Sequence, residues 1–230
     1  MKKPSVTLSI PVYNDASSLK TLTEEISSFL DRHDSFEISI LIIDDCSSDQ
    51  TFDIANAFAG QNPNAQIIHH SENYGFGPTF KEAFYTPQSD WVFFLTGDNQ
   101  FPVENLLRLQ ERMNDCNLIV GRRAVREDNW RRRMNSKIYN AVISLLARRK
   151  ITDVNSTLLF RREILDKVEL NSQSAFINAE FLLKAINSGY SFTEIDIIHK
   201  ERLHGVGSGG KLNVIFPVIR DVLRYTFGKL

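Results

Sequence analysis

Cysteine is almost absent: Cys46 and Cys116 stand far apart, without CxxC or histidine spacing. That excludes a thiolate zinc site and a disulfide framework, and it suits a reducing compartment. An excess of charge of one sign is missing too. Lys and Arg number 27 against 28 Asp and Glu, for a formal net charge of −1, so no general nucleic-acid binder is expected and any basic patch must be local. No apolar run approaches the roughly 18 residues that a bilayer-spanning helix needs. Met1-Lys-Lys-Pro4 carries the charge of a signal-peptide n-region, but the apolar stretch after it is short and meets Pro11, Asn14 and Asp15. It therefore reads as a strand, in a soluble or peripheral protein. No GxGxxG follows this strand, which argues against a dehydrogenase.

What is present is an alternation of strand and helix. The strands read as Ser5–Ile10, Glu37–Ile43, Ala65–His70, Trp91–Leu95, Leu118–Val120, Leu158–Phe160 and Phe192–Ile198. Between them lie helices from Ser17 to Leu30, through Asp53–Phe58, from Pro78 onward, from Val103 to Met113, near Glu163–Val168 and over Ala179–Ile186, the last ended by Gly189. That order implies an α/β fold, a doubly wound and mostly parallel sheet flanked by helices. We expect one domain over residues 1–210 and an amphipathic helix over 211–230, with Phe216, Ile219, Leu223 and Phe227 on one side. Strand ends deliver Asp15, the Asp44/Asp45 pair and Asp98, and in a parallel sheet such loops emerge at one edge. Asp98, followed by Gln100, is placed either to hold a hard divalent cation or to close a turn by bonding nearby amides.

From Gly121 to Lys150 the chain is rich in arginine. Met134, Ile138, Ala141, Val142, Leu145 and Leu146 recur there at helical spacing and give an amphipathic helix. Most of these cations fit a solvated face, while a few arginines could form a fork-shaped receptor for phosphate. None of the histidines pairs at metal-ligand spacing. Arg202 to Gly210 is glycine-rich, either a lid carrying His204 toward a phosphate or a flexible connector.

Ile10-Pro-Val-Tyr-Asn-Asp15, Asp44-Asp-Cys-Ser-Ser-Asp-Gln-Thr51, Asn73-Tyr-Gly-Phe-Gly77 and Gly97-Asp-Asn-Gln-Phe-Pro102 together resemble the motifs of the family 2 inverting glycosyltransferases, which use nucleotide-sugar donors on a GT-A fold. Gly121-Arg-Arg123, the Trp130–Asn140 segment, Asp153-Val-Asn-Ser156, Glu180–Ala185 and Arg202–Ser208 look most like the dolichyl- or polyprenyl-phosphate sugar synthases. The resemblance implies that Pro11, Tyr13, Asp15, Asp44 and Gly75 line the pocket for a UDP- or GDP-sugar. It implies that Asp98, with Gln100 beside it, holds Mg²⁺ or Mn²⁺. It also implies that Arg123, Arg132, Ser136 and Arg202 hold an acceptor phosphate, with Asp98, Gln100 and Arg123 as the catalytic set. Thr96 departs from the pattern, since it stands where the usual Asp-x-Asp has its first Asp.

The acceptor implied is polyprenyl phosphate, met from the cytoplasm with peripheral contact at the inner face of the cytoplasmic membrane. A glycan or protein hydroxyl is the alternative, and it would need a general base, for which Glu180 is the nearest candidate. Glu180 equally suits a helix's solvent face or a salt bridge. A nucleotide-sugar-binding module without catalysis is the remaining reading.

Overall fold

A computed structural model of the chain describes residues 3–124, 130–201 and 212–230. The side chains of residues 130–132 and 212–213 lie outside that description, as does the whole Arg202–Gly210 loop.

The strands are β1 (Ser5–Val12), β2 (Glu37–Asp44), β3 (Ala65–His69), β4 (Trp91–Phe94), β5 (Leu118–Arg123), β6 (Leu158–Arg161) and β7 (Phe192–Ile197). They form one seven-stranded sheet in the order β3-β2-β1-β4-β6-β5-β7. Pairing is parallel throughout except at β6, which runs antiparallel to both β4 and β5. The mostly parallel sheet expected from the alternation is therefore present, with one reversed strand inserted.

Helices cover both faces, and the period-2 alternation of the strands decides which residues each face receives. On one side Ile38, Ile40, Ile42, Trp91 and Phe93 meet helices α1 (Ala16–Arg32) and α2 (Thr51–Gln61), through Leu19, Leu22, Ile26, Phe29 and Phe58. The short α4 (Asn105–Leu109) adds Leu106 and Leu109 to that cluster. On the other side Leu41, Ile43, Val92, Phe94, Leu118 and Val120 meet α3 (Phe76–Tyr85), α5 (Trp130–Ala147) and α6 (Ile177–Asn187). Val218, Val222 and Tyr225 of the C-terminal helix α7 (Leu212–Thr226) pack on the same cluster. β1 turns small polar side chains toward α3, and buried Ser9 Oγ donates to the Ala83 carbonyl at 2.6 Å.

Two expectations shift. The stretch near Glu163–Val168 is a 3₁₀ turn over Arg162–Asp166, and the helix expected to Met113 ends at Leu109 and tightens into a 3₁₀ turn over Gln110–Arg112. The two amphipathic helices, whose covered side the sequence leaves open, turn their apolar stripes outward. In α5, Met134, Ile138, Val142 and Leu145 are exposed while Asn140, Ile143 and Ala147 face the core. In α7, Phe216, Ile219 and Leu223 are exposed, as is Phe227 just after it. Residue periodicity gives the width of a stripe but not the side of the helix that the protein covers.

Besides Val218, Val222 and Tyr225, a buried carboxylate anchors α7. Asp221 Oδ2 accepts hydrogen bonds from Ser172 Oγ and Ser174 Oγ, both at 2.8 Å. The segment between them meets the start of α3, where a Cβ on Gly77 would lie 2.2 Å from the Gln173 carbonyl carbon. Gly77→Ala should lower the urea midpoint at unchanged slope, a loss of about 1–3 kcal/mol from overpacking. An unchanged midpoint would mean that α3 and the 171–174 segment separate freely.

Candidate functional site

Register determines which loops meet. Val12 lies opposite Asp44, and Asp44 lies opposite His69. The ladder continues one step beyond each strand. Asp45 N–H donates to the Val12 carbonyl and His70 N–H to the Asp44 carbonyl, both at 3.0 Å. On the other side of β1, Gly97 N–H donates to the Pro11 carbonyl at 3.3 Å. A Cβ on Gly97 would lie 2.3 Å from Val12 Cγ1, so glycine is what lets this loop close against β1. Pro11, Asp44 and Asp98 thus start from neighbouring strand ends on one rim.

Thr96 Oγ1 donates to Asp98 Oδ1 at 2.7 Å, and Gln100 N–H donates to the same oxygen at 3.3 Å. Both bonds fall on Oδ1; none engages Oδ2 among the described residues. Thr96 therefore orients the carboxylate in the place where a first Asp would have added a second one. Behind the turn, Asn99 has φ +53°, and its Nδ2 donates to Glu25 Oε1 at 3.2 Å. Lys200 Nζ donates to that same oxygen at 2.6 Å, and Lys200 N–H to the Gln100 carbonyl at 2.8 Å. Gln100 Nε2 sits 3.3 Å from His199 Nε2. The turn is thus braced from α1 and from the chain leaving β7, neither of which the sequence pattern pointed to.

Among the described residues no cluster of three or more His, Cys, Asp or Glu could hold a metal. Asp98 with the Gln100 amide is a sparse set of oxygen donors. It fits a hard cation such as Mg²⁺ or Mn²⁺ that takes its remaining ligands from phosphate and water, as Mg²⁺ usually does. It does not fit a softer, all-protein site.

Asp44 is fully buried. Its Oδ2 pairs with His69 Nδ1 at 2.7 Å, while its buried Oδ1 has no hydrogen-bond partner among the described residues. A buried carboxylate oxygen left this way is costly, and the deficit marks where a donor group is wanted. The exposed rings of Tyr13, at 49%, and Tyr74, at 47%, stand on the flanking loops. Asp15 is placed differently. It lines a groove of about 450 Å³ between the starts of α1 and α2, with Asn14, Ser17, Lys20 and Asp49, and this groove includes neither Asp44 nor Asp98.

Gly75 lies in the left-handed region, φ +78°, and caps α3. Its N–H donates to Asp45 Oδ2 and that of Tyr74 to Asp45 Oδ1, both at 2.8 Å. Asp45 also receives His70: Nδ1 lies 2.7 Å from Asp45 Oδ1, and Nε2 lies 2.6 Å from Glu82 Oε2 on α3. Burial disfavours a charge on His70, but the hydrogen bonds and negative charges of Asp45 and Glu82 outweigh it, so its pKa is raised. The signal for this network was two doublets, Asp44-Asp45 and His69-His70, at the ends of neighbouring strands; metal-ligand spacing was the wrong question to ask of them.

On the acceptor side, Arg123 ends β5 and lies 11% exposed. Its Nε and NH2 bond the two oxygens of buried Asp153, at 2.7 and 2.5 Å. The fork expected to receive phosphate is thus engaged by a carboxylate through these two nitrogens. Arg122 pairs with Asp196 at the surface. Ser136 lies on α5, half-buried; the Arg132 side chain and all of Arg202 and His204 lie outside the described residues. Glu180 is buried, not on a solvent face. Its carboxylate accepts from Asn171 N–H at 2.9 Å, Ser172 N–H at 2.8 Å and Lys184 Nζ at 2.7 Å. This is an organising role for the 171–174 segment, and it removes Glu180 as a base for a hydroxyl acceptor.

A family profile described as Glycosyl transferase family 2 matches residues 7–169. The chain belongs to glycosyl transferase family 2. The match spans β1 to the 3₁₀ turn after β6 and so contains the whole rim. The chain is 31% identical over 209 residues to an undecaprenyl-phosphate 4-deoxy-4-formamido-L-arabinose transferase of Serratia proteamaculans, covering 89% of this chain and 62% of that protein. It is 27% identical over 224 residues to a polyprenol monophosphomannose synthase of Mycolicibacterium smegmatis, covering 89% of this chain and 81% of that one. Among solved structures, it matches glucosyl-3-phosphoglycerate synthase from Mycobacterium tuberculosis, in complex with Mn²⁺, UDP and phosphoglyceric acid. There the TM-score is 0.70 at 14% identity, over 99% of this chain and 78% of that one, and this establishes the GT-A fold.

Glu180→Gln should destabilise the protein by about 1–3 kcal/mol in urea unfolding, because buried amides lose a charged acceptor. The turnover of the folded fraction should change little. A variant of normal stability that had lost turnover would restore Glu180 as a base.

Proposed function

We propose that this chain is a metal-dependent inverting glycosyltransferase that moves a hexose from a UDP- or GDP-sugar to polyprenyl phosphate. The observation that carries the reading is the rim itself. Asp44 and Asp98, each with one carboxylate oxygen that has no hydrogen-bond partner among the described residues, start from strands on either side of β1. A nucleoside N–H would satisfy Asp44 Oδ1, and the rings of Tyr13 and Tyr74 offer flat apolar surface to a base. Asp98 and Gln100 would hold Mg²⁺ or Mn²⁺ at the diphosphate. When bound, such a cation offsets the charge that grows on the leaving diphosphate.

In the reaction, an oxygen of the acceptor phosphate attacks C1 of the sugar from the face opposite the nucleotide. The C1–O bond breaks and its electron pair leaves with the nucleoside diphosphate. An ionised phosphate needs positioning and no proton acceptor, which agrees with the full engagement of Glu180. One relative named above has undecaprenyl phosphate in its name and the other polyprenol monophosphomannose, which supports a lipid acceptor here. Arg123, Arg132, Ser136 and Arg202 are the proposed acceptor contacts.

Membrane contact is part of the same proposal. No described helix is long and apolar enough to cross a bilayer. α5 and α7 each expose an apolar stripe, and Arg133, Lys137, Arg148, Arg149 and Lys150 are exposed on α5 and just after it, as suits contact with an anionic membrane.

Asp98→Asn should cut donor turnover by roughly two orders of magnitude while the fold is kept, as removal of several kcal/mol of charge stabilisation requires. With a radiolabelled donor and mixed acceptors, label should enter the organic phase; label only in water-soluble glycan would contradict the lipid acceptor. Leu223→Glu with Phe216→Glu should abolish flotation with anionic liposomes and leave the urea midpoint unchanged, since both side chains are exposed. Undiminished flotation would put α7 elsewhere than on the bilayer.

A further inference from the structure

The reaction above uses neither of the buried groups that stand directly behind the Asn73–Gly75 turn. We propose that His70 is a positioning residue for the donor pocket: it ties Asp45 to Glu82 of α3 and so holds that turn against the end of β2. The inference rests on the reading of the rim as the donor site.

Geometry carries it. The Asp45 carboxylate accepts the N–H groups of Tyr74 and Gly75, and the Asp45 carbonyl accepts Asn73 Nδ2 at 3.1 Å. One residue, through its carboxylate and its carbonyl, therefore holds three consecutive residues of a turn, and it directly follows Asp44. Asp45 and His70 are 5% and 7% exposed, while Glu82 is 35% exposed. Bridging two carboxylates through both ring nitrogens requires both nitrogens to donate, which only imidazolium does. A neutral ring would aim a lone pair at one carboxylate across less than 3 Å. Glu82 can swing to water, and its departure unties α3 from the strand ends. Asp45 cannot leave without stranding two amides and a buried charge.

The groups around the ring are Asp45 from the end of β2, Glu82 from α3 and the Tyr74 ring, whose centroid lies 4.7 Å away. The Asp44–His69 pair adjoins on the next residues. Because the folded pKa is raised, the clamp contributes fully below about pH 6.5 and fades as pH climbs through the folded value.

The test is calorimetric titration of the full chain with UDP and with GDP, each with Mn²⁺, from about pH 5.5 to 8.5, for wild type, His70→Gln and Glu82→Gln. The β-phosphate itself titrates near pH 6, so the readout is the difference between proteins and not the wild-type curve alone. Wild type should lose affinity with rising pH by at least about fivefold more than His70→Gln does, the lower end of ordinary site-to-site coupling. His70→Gln should bind weakly throughout, and its Tyr74 and Gly75 amides should exchange faster with deuterium. Glu82→Gln should keep wild-type affinity at the acid end and move the midpoint to lower pH. Equal pH profiles in wild type and His70→Gln would overturn the positioning role while leaving the donor site intact. A folded wild type that binds neither nucleotide at any pH would overturn the donor reading, and the role of His70 with it.

Discussion

The rim depends on one constraint, the in-register parallel pairing of β1 with β2 on one side and β4 on the other. A single-residue slip in either pair would turn each strand's core residues to the opposite face, and the two clusters that cover the sheet forbid it. Ile38, Ile40 and Ile42 are held in one cluster while Leu41 and Ile43 are held in the other. Burial therefore fixes the register, and register fixes that Asp44 faces Val12 and that Gly97 meets Pro11. Chemistry at the rim is a consequence of packing well inside the sheet.

Beneath the rim, buried and half-buried carboxylates are tied to amides and cations. Glu25 receives Lys200 and Asn99, Asp153 receives Arg123, Asp45 receives two amides and His70, and Glu180 receives two amides and Lys184. Such pairs cost desolvation and add little net stability, but breaking one leaves an uncompensated charge. They act as fixed joints between loops that have few apolar contacts to hold them. Among the described residues Asp44 Oδ1 shares its lack of a hydrogen-bond partner with Glu25 Oε2 and Asp221 Oδ1, and of the three it is the one that ends β2 at the rim.

Much of this was legible in the sequence. Alternating strands and helices gave the mostly parallel sheet, and the motifs pointed to Pro11 and Asp44 at the ends of β1 and β2 and to Gly75 and Asp98 in the loops that follow β3 and β4. Three kinds of feature were not legible. The reversed β6 leaves no trace in the hydrophobicity of Leu158–Phe160, because a buried strand is apolar in either direction. The outward faces of α5 and α7 were hidden because periodicity carries no sign, and Asp221 within α7 looks like any surface acid until Ser172 and Ser174 are placed beside it. For Glu180 the sequence left a base, a solvent face and a salt bridge open, and the structure shows the salt bridge, to Lys184, together with the Asn171 and Ser172 amides. Asp15 shares a strand end with the rim, yet it faces the groove between α1 and α2.

The central claim is that a nucleoside diphosphate and a divalent cation lodge together on the β1, β2 and β4 ends. A crystal structure of the chain with UDP or GDP and Mn²⁺, phased for anomalous manganese scattering, tests it most directly. The account predicts a manganese peak on Asp98, a base against Asp44 and Tyr13, and Thr96 still bonded to Asp98. Nucleotide bound instead in the Asp15–Asp49 groove, or a peak away from Asp98, would contradict it.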